Sequence, residues 1–220
     1  MIVKLHRVLY PVTALGPGRR LGVWFQGCTI GCLGCMSRDS WDSAAGSALP
    51  VTRLVGLWQD ALARGATGLT ISGGEPSEQP EALAAFLTAA RESIDTSEQV
   101  DEPDRADILL YTGLSFDELI ARVPAAALAD AVITEPYDAG RPTTLIWRGS
   151  DNQQLRLLTD LARARYESYV DYSPDHPPMQ VIVDDDTLRY VGVPRRGDLS
   201  RMEHDLRDAG ITARSASWRP

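Results

Sequence analysis

The chain is poor in cysteine, histidine and lysine. Its 220 residues include three cysteines, three histidines and a single lysine, Lys4. No apolar run approaches the roughly 20 residues of a transmembrane helix, and the first residues lack the apolar segment of a secretory signal. The formal net charge of −8 disfavours nonspecific binding to nucleic acid or to an anionic membrane. We therefore expect a cytoplasmic protein that binds neither nucleic acid nor a membrane.

All three cysteines, Cys28, Cys32 and Cys35, lie within eight residues. An odd number of thiols without a secretory signal argues against disulfide bonds. A closed zinc site needs four ligands, and no histidine stands at the short spacing that zinc modules usually show. An iron–sulfur cube held at three corners leaves one iron open to bind another molecule. The sequence favours such an open cluster, and zinc is the weaker alternative.

The spacing C-x3-C-x2-C, with Gly31 and Gly34 inside it, resembles the cluster loop of the radical S-adenosylmethionine superfamily. The flanking segments 16–27 and 35–42 resemble the activating-enzyme branch of that superfamily. Gly34 precedes the third cysteine where many members have an aromatic residue, as in the anaerobic ribonucleotide reductase activase subgroup. The resemblance implies a 4Fe-4S cluster on the three cysteines and an adenine contact through the backbone of Gly34.

A second motif lies about forty residues after the cysteine loop. The segment 68–76, GLTISGGEP, is typical of a short strand that opens into a turn. Alone it is a modest signal, because glycine pairs end many strands and an acid there is usually solvated. After a cysteine loop it resembles the family's GGEP motif, in which backbone groups and the acid hold the amino group of S-adenosylmethionine. The residues assigned to the cofactor on this basis are Ser72, Gly73, Gly74 and Glu75.

The resemblance also implies the chemistry. S-adenosylmethionine bound at the open iron is cleaved by one electron into methionine and a 5′-deoxyadenosyl radical, which abstracts hydrogen from unactivated carbon. The protein is expected to position the reactants, exclude water and tune the cluster. No catalytic residue is assigned beyond cluster and cofactor. A reduced flavodoxin or ferredoxin-type protein is the expected electron donor.

Two narrower signals resemble the anaerobic ribonucleotide reductase activases. These are the segments 111–113, YTG, and 147–153, WRGSDNQ. By that resemblance Thr112, Arg148 and Asn152 lie near the cofactor. The alternatives are that Asn152 only caps a following helix and that Arg148 only pairs with a surface acid.

One segment departs from the family pattern. Thr134 and Glu135 stand where the family commonly has an aspartate and a glycine. If that aspartate orients the cofactor or the target in true reductase activases, this chain handles a different partner or holds its ligand differently.

Apolar strands alternate with helical segments, which is the pattern of parallel βαβ units. Helices are predicted over 51–63, 82–90, 152–164 and 199–209, with another after a capping box at 115–118. Strands are predicted at the start of segment 68–76 and over 105–113 and 131–134, with a hairpin over 180–191. Surface loops are predicted over 95–104 and 173–178. We expect one α/β domain over residues 1–220, with the family resemblance spanning about 10–195. The resemblance implies a partial (β/α)6 barrel with the cluster at the carboxyl edge of its strands.

The favoured function is an activating enzyme that uses the radical to install a glycyl radical on a partner enzyme. The first alternative is a tailoring or biosynthetic enzyme that applies the same radical to a small molecule or peptide. The second is a non-catalytic metal-binding module that docks partners. Because the chain has no further cysteine, an auxiliary cluster is not expected.

Overall fold

The computed structural model describes residues 1–96, 105–184 and 187–212. The strands in these ranges are β1 (Ile2–Val12), β2 (Arg20–Phe25), β3 (Ser47–Pro50), β4 (Gly68–Gly73), β5 (Asp107–Tyr111), β6 (Ala131–Thr134), β7 (Gln154–Leu157), β8 (Met179–Asp184) and β9 (Thr187–Gly192). The α-helices are α1 (Val51–Ala63), α2 (Pro80–Asp95), α3 (Phe116–Arg122), α4 (Asp160–Tyr166) and α5 (Asp198–Asp208). Short 3-10 helices cover Arg38–Ser40, Pro76–Glu78, Pro124–Leu128 and Glu167–Tyr169.

Seven strands form one sheet in the order β3-β1-β2-β4-β5-β6-β7. The central strands β2, β4, β5 and β6 run parallel, whereas β1, β3 and β7 pair antiparallel at the two margins. The prediction of an α/β fold is confirmed. The finer prediction of a (β/α)6 barrel is not confirmed, and the described strands do not close into a barrel.

Successive side chains of β2 point to opposite faces of the sheet, as in any β-strand. Leu21, Val23 and Phe25 are buried in the core that the sheet shares with α1 and α2. Trp24 belongs to a separate apolar cluster. Fully burying apolar side chains of this size stabilises the fold by about 1.5–3 kcal/mol each. The central strands are therefore anchored from both faces, which fixes the positions of the loops at their carboxyl ends.

Most predicted elements are present, but the helix predicted over 152–164 is wrong. The chain instead forms β7 and then α4, which begins after Thr159, whose side chain accepts a hydrogen bond from the amide of Ala162. Leu155 pairs with Ile133 across the antiparallel edge of the sheet and is buried there. The leucine spacing also fits a helix, but pairing with β6 overrides that local preference.

The predicted C-terminal hairpin is present as β8 and β9 and forms a separate two-stranded sheet. Ile182 and Val191 on this hairpin pack with Val12 of β1, Trp24 of β2 and Leu15 in the connection between these two strands. The hairpin thus covers the face of the sheet opposite α1 and α2. Most of the predicted acidic loop and the tip of the hairpin, residues 97–104 and 185–186, lie outside the described residues. No helix in the described part of the chain is long and apolar enough to cross a membrane.

Candidate cluster and cofactor site

The cysteine loop leaves the carboxyl end of β2 and closes back on itself. The amide of Gly27 donates to the carbonyl of Ser40 at 2.7 Å, and that of Cys28 donates to Trp41 at 3.1 Å. Inside the loop the amide of Cys35 donates to the carbonyl of Cys32 at 3.1 Å. These bonds bring both ends of the loop together beside the edge of the sheet.

The three cysteines line one cavity of about 130 Å³ at the carboxyl ends of the parallel strands. This is where ligands bind in open parallel α/β sheets. Four further predicted site residues line the same cavity: Gly73, Gly74, Glu75 and Thr112. The remaining lining residues were not predicted as part of the site, and they are Ile30, Trp41, Tyr111, Gly113, Glu135, Tyr137 and Gln153.

The thiols of Cys28, Cys32 and Cys35 are free and partly exposed. Burial raises the pKa of the Cys28 thiol, while backbone amides of Gly31 and Ile30 act in the opposite direction. Burial also raises the pKa of the Cys32 thiol, and there the opposing backbone amides are those of Tyr137 and of Cys32 itself. Cys35 accepts a hydrogen bond from the amide of Ser37 at 3.4 Å. Backbone donors therefore already point at the sulfur atoms that a metal cluster would use.

The donor set fits a cluster better than a single ion. Within the described ranges, no three cysteine, histidine or acidic side chains converge on a point that could hold one metal ion. A 4Fe-4S cube does not need such convergence, because each thiolate binds a different iron. Three thiols around one cavity suit three corners of a cube and leave the fourth iron accessible.

The glycine pair after β4 lets two backbone segments meet. A Cβ atom on Gly74 would lie 2.1 Å from the carbonyl oxygen of Gly27, and one on Gly73 would lie 2.3 Å from the amide nitrogen of Phe25. Gly73 also has a φ of 120°. The close approach is tied by a hydrogen bond from the amide of Glu75 to Gly27 at 2.8 Å. The glycines therefore fix the turn against the start of the cysteine loop.

Glu75 is almost completely buried, with 1% of its surface exposed. Its Oε1 accepts hydrogen bonds from Thr112 Oγ1 at 2.9 Å and from the amide of Ser77 at 3.0 Å. Its Oε2 accepts a hydrogen bond from the amide of Gly113 at 2.7 Å. The carboxylate thus joins the end of β4 to the end of β5, and three of its approximately four acceptor positions are occupied.

The four other predicted cofactor residues do not line this cavity. Gly34 has a φ of 79°, and a Cβ atom there would lie 3.6 Å from Tyr137. Ser72 pairs with Trp24 within the sheet. Arg148 lines a neighbouring cavity and donates from Nη2 to the carbonyls of Tyr169 and Val170. Tyr137 forms part of the wall of both cavities.

Asn152 lies beside the cysteine cavity without lining it. Its Nδ2 donates to the carbonyl of Pro136 at 2.7 Å. No helix follows it directly, so Asn152 does not cap one, and the adjacent Gln153 lines the cavity in its place.

The two residues that depart from the family pattern lie at or next to the cavity. Thr134 is fully buried, and its Oγ1 has no hydrogen-bond partner among the residues that the structure describes. Glu135 lines the cavity with a φ of 79°. That φ lies in the left-handed region that glycine adopts without strain. The chain therefore keeps the backbone conformation of a glycine but places a glutamate there.

The 4Fe-4S single cluster domain family matches residues 14–156, which is most of the chain. The chain belongs to this family. It is 29% identical to the anaerobic ribonucleoside-triphosphate reductase-activating protein of Enterobacteria phage T4, over 69% of this chain and 93% of that protein. It is 30% identical to the protein of the same name from Haemophilus influenzae, over 66% of this chain and 92% of that protein. A pyruvate formate-lyase-activating enzyme of Clostridium pasteurianum is 37% identical over 40% of this chain and 39% of that protein.

Membership of this family confirms the predicted class: the protein is an activating enzyme of the radical S-adenosylmethionine type, with a 4Fe-4S cluster and S-adenosylmethionine as cofactors. Part of the site that sequence reasoning missed had a usable signal. Glu135 and Tyr137 follow β6 directly, and the carboxyl ends of parallel strands meet at one edge of a sheet. Trp41 and Gln153 lie inside segments that already resembled the family.

Proposed function

We propose that the protein generates a 5′-deoxyadenosyl radical in the cysteine cavity and uses it to install a glycyl radical on a partner enzyme. The observation that carries this proposal is the meeting of three cysteines and the Gly73–Glu75 turn at one cavity on the carboxyl edge. The relatives support the target, because their names describe activators of an anaerobic ribonucleoside-triphosphate reductase and of pyruvate formate-lyase.

Each part of the cavity has a proposed task. Cys28, Cys32 and Cys35 hold the cluster, and the amides that point at their sulfur atoms stabilise the thiolates. The turn at Gly73–Glu75 meets the amino group of S-adenosylmethionine through backbone groups, together with the acceptor position that remains on Glu75. Thr112 holds the Glu75 carboxylate in place through its hydroxyl.

When bound, the cluster and cofactor supply one-electron cleavage of S-adenosylmethionine to methionine and a 5′-deoxyadenosyl radical, with the electron from a reduced flavodoxin or ferredoxin-type donor. The apolar and aromatic lining, with Ile30, Trp41 and Tyr111, limits the access of water to a radical. Such a radical would take a hydrogen atom from the target glycine, which would give 5′-deoxyadenosine and an unpaired electron on the glycine Cα.

The surface beside the cavity suits a macromolecular target. Leu33, between the second and third cysteines, has 86% of its surface exposed. It therefore stands at the point where a partner loop would approach the cluster, and its burial would stabilise the complex.

The proposal is tested with an anaerobic ribonucleoside-triphosphate reductase, the kind of target that the names of the relatives print. The two proteins are mixed anaerobically with dithionite and S-adenosylmethionine, and the mixture is followed by electron paramagnetic resonance. We expect a glycyl radical signal on the reductase that is absent when Cys32→Ala replaces the wild-type activator. 5′-Deoxyadenosine formed without any glycyl signal would contradict the proposed target and favour a tailoring reaction.

A further inference from the structure

Glu135 combines backbone strain with a position in the reaction cavity. It follows β6 directly, and its φ is 79°. In the described part of the chain only Glu135 and Trp147 are non-glycine residues with a positive φ. Glutamate is not among the residues that tolerate this conformation well, and a glycine would adopt it at lower cost. Strain of this kind concentrates at functional sites, where the side chain has a task.

The strained backbone is held from both sides. The amide of Glu135 donates to the carbonyl of Leu114 at 2.9 Å, and its carbonyl accepts a hydrogen bond from Gln153 Nε2 at 3.1 Å. Gln153 is itself fixed, because its Oε1 accepts a hydrogen bond from the amide of Gly149 at 2.7 Å. The surrounding loops therefore determine the backbone conformation of residue 135 at the wall of the cavity.

The two acids of the cavity have different environments. The carboxylate of Glu75 accepts three hydrogen bonds from the protein. The carboxylate of Glu135 has no hydrogen bond and no ion pair with any residue that the structure describes. Among the residues that the structure describes, none that lines the cavity is a lysine, arginine or histidine. Glu135 is half-buried, and its carboxylate has no partner among the described residues. Because the charged side chains in the described lining of the cavity are acids, the site is suited to a cationic ligand.

We propose that Glu135 is a specificity-determining residue whose carboxylate binds a cationic group of the ligand in the cysteine cavity. This inference rests on the proposed function of the cavity. Two sources can supply the cation: the ammonium group of S-adenosylmethionine or a basic group of the target. In either case the strained glutamate is kept for its charge, and Gln153 and Leu114 are the residues that position it.

The test uses the anaerobically reconstituted full chain and three substitutions. Glu135→Gln removes the charge and keeps the strain, whereas Glu135→Gly removes both. Glu92→Gln on the exposed side of α2 is the charge-matched control. The readouts are the affinity for S-adenosylmethionine by calorimetry, the radical yield on the reductase at saturating S-adenosylmethionine, and the thermal unfolding midpoint without S-adenosylmethionine.

If the cation is that of S-adenosylmethionine, both Glu135 variants bind it about tenfold or more weakly, because a hydrogen bond to a charged group is lost. If the cation belongs to the target, affinity for S-adenosylmethionine is kept and the radical yield falls by a similar factor. In both cases Glu135→Gly raises the unfolding midpoint by about 2–4 °C, since strain is relieved. Glu92→Gln leaves all three readouts at the wild-type values.

The inference is overturned if both Glu135 variants keep wild-type affinity and radical yield, or if Glu135→Gly does not raise the unfolding midpoint. These failures differ from failure of the proposed function. Wild-type protein that activates the reductase, with variants that match it, refutes only the role of Glu135. Wild-type protein that binds S-adenosylmethionine in a Glu135-dependent way but forms no radical refutes only the proposed function.

Discussion

Gly74 shows how closely a single residue couples the two motifs. A Cβ atom there would meet the Gly27 carbonyl oxygen at 2.1 Å, which is much shorter than a nonbonded contact allows. We expect Gly74→Ala to push the turn away from the cysteine loop and to lower the iron content after anaerobic reconstitution by more than half. Gly56→Ala is the control, because a Cβ atom at that position in α1 has nothing within 4 Å. Full iron and sulfide content in Gly74→Ala would show that the close approach is dispensable.

At the opposite edge of the sheet, Asp107 is the centre of a buried ion network. Its Oδ1 lies 2.6 Å from Arg20 Nη2, and its Oδ2 lies 2.8 Å from Arg165 Nη1. Tyr166 also donates to it. Removing one partner leaves a buried charge uncompensated, so Asp107→Asn should lower the free energy of unfolding by about 3–5 kcal/mol in urea titration. The exposed pair of Asp151 and Arg141 is the control, and Asp151→Asn should cost less than about 1 kcal/mol.

Asp107 also makes the free energy of unfolding depend on pH. Burial alone would raise the pKa of Asp107, but Arg20 and the hydrogen-bond donors around it lower the pKa below its usual range. Its contribution to stability is therefore complete above the unfolded-state pKa of about 3.9 and is lost as the pH falls toward the lower folded value. The stability difference between wild type and Asp107→Asn should shrink below about pH 4. A difference that stays constant down to pH 2 would contradict this.

At this residue scale the sequence was informative where the signal is local. The cysteines and the Gly73–Glu75 turn are short motifs, and they line one cavity. The ion pair of Arg20 and Asp107 joins positions 87 residues apart, so no local sequence pattern predicts it. The positive φ of Glu135 has no local signal in this chain, and only the glycine that the family commonly has at this position indicates it.

At the scale of elements, local patterns predicted some parts and failed at one edge strand. The capping box at Ser115 and Glu118 starts α3 as predicted, because both hydrogen bonds are made within one turn. The leucines of 152–164 fit a helix equally well, yet residues 154–157 add a strand to β6. The segment forms a strand because the edge of the sheet at β6 is available for pairing. That edge exists only in the folded protein, so the local sequence does not reveal it.

The hairpin of β8 and β9 gives a prediction at this scale. It lies beyond residues 14–156, where the family match ends, and it covers Val12, Leu15 and Trp24. A chain ending at Pro178 should expose these side chains, bind more of an apolar dye and lose at least about 2 kcal/mol of unfolding free energy. A chain ending at Arg196 keeps the hairpin and removes α5, which has no buried residue. That control should resemble the full chain, and equal stability of both truncations would contradict the covering role.

At the scale of the whole molecule, the cysteine cavity and the buried ion network lie at opposite edges of the sheet. The carboxyl ends of β2, β4, β5 and β6 all lead into residues that line the cysteine cavity. Arg20 and Asp107, which form the buried ion pair, are the first residues of two of these strands, β2 and β5, at the other edge of the sheet. The α/β class followed from the alternation of elements in the sequence. The antiparallel margins did not, because β1 and β3 carry no motif and owe their pairing to the sheet.

The most direct test of this account is the formation of 5′-deoxyadenosine. The protein is reconstituted anaerobically with iron and sulfide, reduced with dithionite in the presence of S-adenosylmethionine, and assayed by chromatography for 5′-deoxyadenosine and methionine. We expect both products from the wild-type protein and neither from Cys28→Ala, Cys32→Ala or Cys35→Ala. A stable cluster without either product, in the presence of the reductase, would contradict the radical chemistry assigned to the cysteine cavity.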